Sequence, residues 1–136
     1  MDVKKEKTIL VVEDERPLLE AIKRKLEING FLVVTARSTD QAYEYVEDIG
    51  TIDAIWLDHY LLGKESGLDF VAKCKEEGSS CKNIPIYVVS NTASADKVQT
   101  YLRFGITKYF VKAEHRLDEI INQIKMYLEG EDSDTK

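Results

Sequence analysis

Four short apolar runs in this chain lead directly into polar or charged residues, and this feature limits the possible folds more than any other. The polar residues that follow the runs are Glu13-Asp14, Asp58, Ser90 and Lys112. Continuous apolar runs of strand length are typical of parallel strands that are buried on both faces. If the strands lie parallel in one sheet, an acid pair, a lone carboxylate, a hydroxyl and an ammonium group meet at its carboxyl edge. Open α/β sheets bind their ligands at that edge.

The segments between the runs predict helices. Leu18, Ile22 and Leu26 recur at helical spacing after the first run, and Ser38 with Gln41 forms a capping-box pattern at the start of the next helix. A further strand is expected between these two helices. The clearest amphipathic pattern lies near the end of the chain, at Leu117, Ile120, Ile121, Ile124 and Leu128. Strand and helix alternate five times, which predicts an α/β fold with a parallel sheet and helices on both faces.

The composition fits one globular domain and argues against several classes of protein. With 136 residues, of which 43% are hydrophobic, the chain suits one ordinary core and leaves no room for a second domain. The net charge of −6 argues against a general nucleic-acid binder, which needs a basic surface. The charged start of the chain is unlike a signal peptide or a membrane span. We therefore expect a cytoplasmic protein with no direct nucleic-acid or membrane partner.

Both ends of the chain are expected to lie outside the folded domain. Residues 1–7 are interpreted as a flexible N-terminus and residues 130–136 as a solvated acidic tail. The domain itself would then occupy residues 8–129.

The two cysteines show no recognisable pattern. Cys74 and Cys81 have neither CxxC nor metal-ligand spacing, and no cluster of histidines accompanies them. We expect two reduced thiols, Cys74 on a helix face and Cys81 in a loop.

The acidic residues after the strands predict a metal site. Three carboxylates that come together raise one another's pKa and need a counter-charge. Oxygen ligands from Glu13, Asp14 and Asp58 suit Mg²⁺. The alternative is that Glu13, Asp14 and Glu15 only favour the start of a helix through its dipole.

Asp58 is the residue that we expect to carry the chemistry. An aspartate beside Mg²⁺ can attack phosphorus and form an acyl phosphate. Lys112 would then place a positive charge near a phosphoryl oxygen, and Ser90 would donate a hydroxyl hydrogen bond to another. His59, next to Asp58, is interpreted as a loop histidine rather than a catalytic one.

With these positions in register, the chain resembles a receiver domain of the two-component response-regulator family from about Thr8 to Leu128. The matching positions are the acidic pair Glu13-Asp14, the phosphoacceptor Asp58, the hydroxyl residue Ser90, the lysine Lys112, and the aromatic Tyr109 three residues before that lysine. The resemblance implies a flavodoxin-like doubly wound sheet of five strands in the order 2-1-3-4-5, with five helices. It also implies that the backbone carbonyl of Tyr60 contributes to the metal site.

The function implied by the resemblance is a phosphorylation switch. A sensor histidine kinase or a histidine phosphotransfer protein would offer phosphohistidine, and the domain would catalyse transfer to its own Asp58. Ser90 and Tyr109 would then move and change the surface formed by the fourth helix, fifth strand and fifth helix, to which an unknown downstream protein binds. In this reading the domain is not an enzyme beyond its own phosphorylation and dephosphorylation.

The sequence departs from the family pattern at three positions. Leu62 and Ala113 replace two prolines that are frequent in the family, and Asn91 replaces a small residue. The proline after the lysine usually follows a cis peptide, and a cis bond before Ala113 would cost about 2.5–4 kcal/mol. How Lys112 is oriented therefore remains open at the level of sequence.

Three functions compete at this stage. We expect a stand-alone phosphorylatable receiver, since no output domain follows Leu128. The first alternative is a receiver-like interaction module that is not phosphorylated. The second is a small phosphatase with an aspartate nucleophile, although that class needs its nucleophile after the first strand, with a second aspartate two residues later.

Overall fold

The computed structural model describes residues 6–59, 66–91 and 94–133 of the chain. Strands and helices alternate along it as the sequence predicts, with a short 3₁₀ turn before the last helix. In chain order the elements are β1 (Thr8–Val12), α1 (Arg16–Ile28), β2 (Leu32–Ala36), α2 (Thr39–Ile49), β3 (Ala54–Leu57), α3 (Gly67–Cys74), β4 (Ile86–Ser90), α4 (Ala95–Arg103), β5 (Lys108–Val111), the 3₁₀ turn (Lys112–Glu114) and α5 (Leu117–Ser133).

The five strands form one parallel sheet in the order β2-β1-β3-β4-β5, which confirms the predicted fold and strand order. The register aligns the ends of the strands. Val12, the last residue of β1, lies beside Leu57 at the end of β3. Ser90, at the end of β4, lies beside Val111 at the end of β5. The residues that follow β1, β3 and β5 therefore emerge at one edge of the sheet.

Alternate residues of each buried strand serve two separate hydrophobic clusters, because successive side chains of a strand point to opposite faces. In β3, Ile55 and Leu57 pack with α2, α3 and α4, whereas Ala54 and Trp56 pack with α1 and α5. All four side chains are fully buried. If the alternation continues past Leu57, the side chains of Asp58 and His59 also point to opposite faces of the sheet.

The ends of the helices follow the predicted signals in part. The Ser38 hydroxyl accepts a hydrogen bond from the amide of Gln41 at 3.3 Å, so the cap of α2 is confirmed. The Gln41 side chain accepts from the amide of Arg37, one residue before the position that a full capping box requires. The last helix continues to Ser133, so residues 130–133 are helical where the sequence suggested a tail. Leu128 is buried just before these residues, and glutamate is a good helix former.

The expectation of two reduced thiols is wrong in this structure. The helix α3 ends at Cys74, and the turn that follows contains Gly78 with φ of +84°, a conformation that glycine adopts readily. This turn brings Cys81 back to the end of the helix, and the two cysteines form a disulfide with their Cα atoms 5.1 Å apart. That separation lies within the range that a disulfide can bridge. Sequence spacing alone does not reveal such an approach.

The turn after β5 resolves the orientation of Lys112. No described peptide bond is cis, and Lys112, Ala113 and Glu114 form the 3₁₀ turn. Alanine at this position therefore replaces the expected proline without backbone strain.

Candidate functional site

Three carboxylates converge at the carboxyl edge of the two central strands. Glu13 and Asp14 follow β1, and Asp58 follows β3. Each offers an oxygen within 4.8 Å of the others. The backbone holds them there, because the Asp58 amide donates to Val12 and the Glu13 amide donates to Ala36, each at 3.0 Å. Glu13 is 1% exposed and Asp58 6% exposed, so both carboxylates are largely removed from water.

Lys112 brings a positive charge to this cluster from the end of β5. Its ammonium nitrogen lies 3.5 Å from Oε1 of Glu13 and 3.6 Å from Oδ2 of Asp58. The side chain of Lys112 is 20% exposed, which limits screening of these contacts by water. The structure thus brings together four of the residues that the sequence singles out, and Lys112 reaches Asp58 despite the missing proline.

The electrostatics of Glu13 show that one ammonium group does not balance three carboxylates. Burial and the neighbouring charge of Asp58 raise the pKa of Glu13 from 4.5 to about 7. Two contacts oppose this rise: the Glu15 amide donates to Oε2 of Glu13 at 3.1 Å, and Lys112 lies close by. Their effect is smaller, so Glu13 readily keeps its proton when no further cation is present.

The donor set fits a small hard cation. All three side chains offer carboxylate oxygens, which are the ligands that Mg²⁺ prefers. The alternative role at the dipole of α1 is compatible with the same geometry, because Glu13 and Asp14 precede the N-cap residue Glu15, which makes no side-chain capping bond. Tyr60, whose carbonyl we expect in the same site, lies outside the described residues.

Arg37 supports the turn that carries the acid pair, and sequence reasoning missed it. Its Nε and Nη2 atoms donate to the backbone carbonyl of Asp14 at 3.2 and 2.9 Å. Arg37 directly follows β2 at the same edge of the sheet. Its position directly after a strand could therefore have predicted that Arg37 lies near the acid pair.

Ser90 lies on β4, the strand next to β3, and Tyr109 lies on β5 beyond it. Ser90 is the last residue of β4 and is fully buried. Tyr109 lies in β5, partly buried, and its ring centroid is 5.7 Å from that of Tyr101 in α4. Asn91, which follows Ser90, is exposed at the surface.

His59 occupies a buried position that the sequence did not suggest. It lies outside β3, in keeping with a loop residue, but it is only 6% exposed. Its Nδ1 atom shares a hydrogen bond of 2.5 Å with the hydroxyl of Tyr101, and the donor depends on the imidazole tautomer. Burial and the positive charge of Lys97 lower the pKa of His59. Tyr101 lies in α4, 42 positions further along the chain, so this polar contact became visible only in the fold.

Among the helices of the described residues, none combines the length and the apolar character that crossing a membrane requires.

Comparison with known proteins places this arrangement in a family. The family model described as "Response regulator receiver domain" matches residues 9–125. The transcriptional regulatory protein DltR of Streptococcus agalactiae is 32% identical over 118 residues, covering 87% of this chain and 50% of that protein. The phosphate regulon transcriptional regulatory protein PhoB of Escherichia coli is 35% identical over 104 residues, covering 76% and 44%. The chain thus spans about half the length of the curated relatives it matches.

A solved structure supports the same fold. The receiver domain protein (CheY-like) from Methanospirillum hungatei superposes with a TM-score of 0.83 over 96% of this chain and 99% of that one, at 21% identity. Sequence match and fold agree, and the chain belongs to the response regulator receiver domain family of two-component signal transduction.

Proposed function

We propose that this domain is a phosphorylation switch that accepts a phosphoryl group on Asp58. The observation that carries the proposal is the position of Asp58, which lies among Glu13 and Asp14 and 3.6 Å from Lys112 at the carboxyl edge of the sheet. An aspartate carboxylate can act as the nucleophile that forms an acyl phosphate.

The donor would be the phosphohistidine of a sensor histidine kinase or of a histidine phosphotransfer protein. A carboxylate oxygen of Asp58 attacks phosphorus, the bond between phosphorus and the imidazole nitrogen breaks, and the imidazole leaves with the electron pair and takes up a proton. Lys112 stabilises the negative charge on the phosphoryl oxygens, and the hydroxyl of Ser90 donates to one of them. The product is an acyl phosphate on the domain itself, so the domain is the acceptor in the reaction that it catalyses.

Glu13, Asp14 and Asp58 would hold Mg²⁺, with the backbone carbonyl of Tyr60 as a further ligand. When bound, the ion offsets the negative charge that the phosphoryl group adds to an already acidic site. The raised pKa of Glu13 supports this assignment, because a second cation is what the cluster requires for full ionisation.

The output would pass through Ser90 and Tyr109 to the surface of α4, β5 and α5. Six large hydrophobic side chains are exposed among the described residues, and four of them belong to α4, its C-cap and α5: Leu102, Phe104, Met126 and Tyr127. Exposed apolar side chains of this kind favour a protein partner. The acidic balance of the chain does not favour direct contact with nucleic acid.

The proposal is tested by the intact mass of the protein after incubation with Mg²⁺ and acetyl phosphate. We expect the parent to gain one phosphoryl group and Asp58→Asn to gain none. Asp53→Asn is a matched control, because Asp53 stands at the opposite end of β3 and accepts a hydrogen bond from the Thr8 amide. This variant should still be phosphorylated.

If no adduct is found, either the adduct hydrolyses quickly or the site is inert. Beryllofluoride distinguishes these two explanations, because it mimics the phosphoryl group without turning over. A parent protein that shows no adduct and no spectral response to beryllofluoride with Mg²⁺ would contradict the proposal. The domain would then be an interaction module that is not phosphorylated.

A further inference from the structure

Asp58 and His59 are neighbours in sequence, but their side chains have different partners. Asp58 joins the carboxylates, whereas His59 shares its 2.5 Å hydrogen bond with Tyr101. Tyr101 is fully buried in the cluster that lies under α2, α3 and α4. The two rings also meet edge to face, with centroids 5.6 Å apart. The residue after the proposed phosphoacceptor is therefore tied to α4 by both a polar and an aromatic contact.

Gly67, the first residue of α3, packs against the contact between His59 and Tyr101. Its amide donates to the carbonyl of His59 at 2.9 Å. A Cβ atom at this position would lie 2.7 Å from the carbonyl oxygen of Asp58 and 2.9 Å from the hydroxyl of Tyr101. Only glycine allows the backbone of residues 58 and 59, the start of α3 and the Tyr101 hydroxyl to approach so closely. The hydroxyl therefore has little freedom to move relative to the end of β3.

Tyr101 also contacts the aromatic residue of the proposed switch. Its ring lies against that of Tyr109, with centroids 5.7 Å apart and planes inclined at 50°. Tyr109 packs against the same hydrophobic cluster. When the Tyr109 ring rotates, it must therefore move past the ring of Tyr101, whose hydroxyl is hydrogen-bonded to His59.

From these contacts we propose that Tyr101 is a positioning residue that couples the state of Asp58 to the position of α4 and Tyr109 through its hydrogen bond to His59. The inference rests on the proposed function and deepens it, because it names the contact by which the site reaches the output surface. A displacement of the β3 end is passed to Tyr101 by the hydrogen bond and to α4 by the backbone that carries Tyr101. Close-packed side chains transmit such shifts because the interior has little empty space.

The test compares amide NMR spectra with and without Mg²⁺, beryllium chloride and fluoride in the parent and in Tyr101→Phe. The variant keeps the ring and loses only the hydroxyl. We expect the shift changes near residues 13, 58 and 112 to persist, whereas those of α4 and Tyr109 fall by roughly half or more. Tyr45→Phe, which removes the hydroxyl of a partly buried tyrosine in α2, is the matched control and should respond like the parent.

Variants of His59 distinguish coupling between Asp58 and α4 from a purely structural role of the hydrogen bond between His59 and Tyr101. Asn can present an acceptor near the position of Nδ1, so His59→Asn should keep the response of α4, whereas His59→Leu should lose it. The double variant His59→Leu with Tyr101→Phe should lose no more than either single variant, because both act on one hydrogen bond. Thermal unfolding of each variant verifies that the folded state is retained.

Three results would overturn the inference. A full α4 response in folded Tyr101→Phe would show that the hydroxyl is not needed for coupling. A parent that responds near Asp58 but not in α4 would show that no coupling exists. A parent with no response at all would instead remove the proposed phosphorylation site, and the inference with it.

Discussion

Two regions meet at the end of β3 and differ in how they are built. The first is the charge cluster of Glu13, Asp14, Asp58 and Lys112, whose members each stand within two residues of a strand end. The second is the aromatic cluster of His59, Tyr101 and Tyr109, whose members come from a loop, the last turn of a helix and a strand. The first region is fixed by strand ends, which the sheet aligns, and the second by the packing of α4 against the sheet.

This difference decides what each region tolerates. The charge cluster carries unfavourable electrostatics, since burial and Asp58 raise the pKa of Glu13 to about 7. The aromatic cluster is close-packed and leaves no room for an added carbon at Gly67. We expect changes in the first region to act through charge and pH, and changes in the second to act through volume.

The largest effect is expected from Glu13→Gln on the pH dependence of stability without metal. Folded Glu13 keeps a proton up to a pKa of about 7 that the unfolded chain loses near its ordinary value of 4.5. The folded state therefore binds more protons between these pH values, and its free energy of unfolding falls as pH rises. The total fall is at most about 3 kcal/mol. The neutral glutamine lacks this dependence and should be the more stable form at pH 8.

Urea unfolding in EDTA at pH 5, 6, 7 and 8 measures this effect. Glu20→Gln, an exposed change on α1, controls for the loss of one negative charge. Parallel pH profiles for the parent and Glu13→Gln would show that burial does not govern the charge cluster.

The next largest effect is expected from Gly67→Ala, which tests the packing of the aromatic cluster. The added Cβ would meet backbone and a buried hydroxyl, so the free energy of unfolding should fall by about 2 kcal/mol. Gly130→Ala is the matched control, because a Cβ there meets nothing within 4 Å and alanine favours the helix α5. An equal effect of the two substitutions in urea unfolding would contradict tight packing at Gly67.

The smallest effect is expected from Lys112→Ala on Mg²⁺ binding. Removing the ammonium group takes away a positive charge that would repel the ion, so Mg²⁺ should bind roughly tenfold more tightly. Fluorescence of Trp56, the only tryptophan, measures the titration. Lys108→Ala removes an exposed lysine at the start of β5 that donates to Gln123, and it should leave the affinity unchanged. Weaker binding in Lys112→Ala would mean that Lys112 organises the carboxylates rather than competing with the ion.

The comparison also explains how much could be predicted from the sequence. The parallel sheet and the convergence of Glu13, Asp14, Asp58 and Lys112 follow from apolar runs that end in polar residues, whereas the strand order was implied by the resemblance to receiver domains. A strand places its following residue at a known edge, so position along the chain translates directly into position in space.

The parts that the sequence did not predict depend on contacts between distant segments. The hydrogen bond between His59 and Tyr101 joins residues 42 positions apart through the packing of α4, which no local pattern encodes. The disulfide of Cys74 and Cys81 depends on a glycine turn rather than on cysteine spacing. The extension of α5 to Ser133 was hidden by acidic residues that are compatible with both helix and tail.

The alternation of side chains in β3 has a consequence for how the gene of such a domain can change. The strand has only four residues, and all four are buried. Insertion of one codon within it would turn every later side chain to the other face, because the period of a strand is two residues. The imidazole would then stand among the carboxylates and the carboxylate among the aromatic rings. Variation in length should therefore accumulate in the connecting loops, while the length of β3 stays fixed.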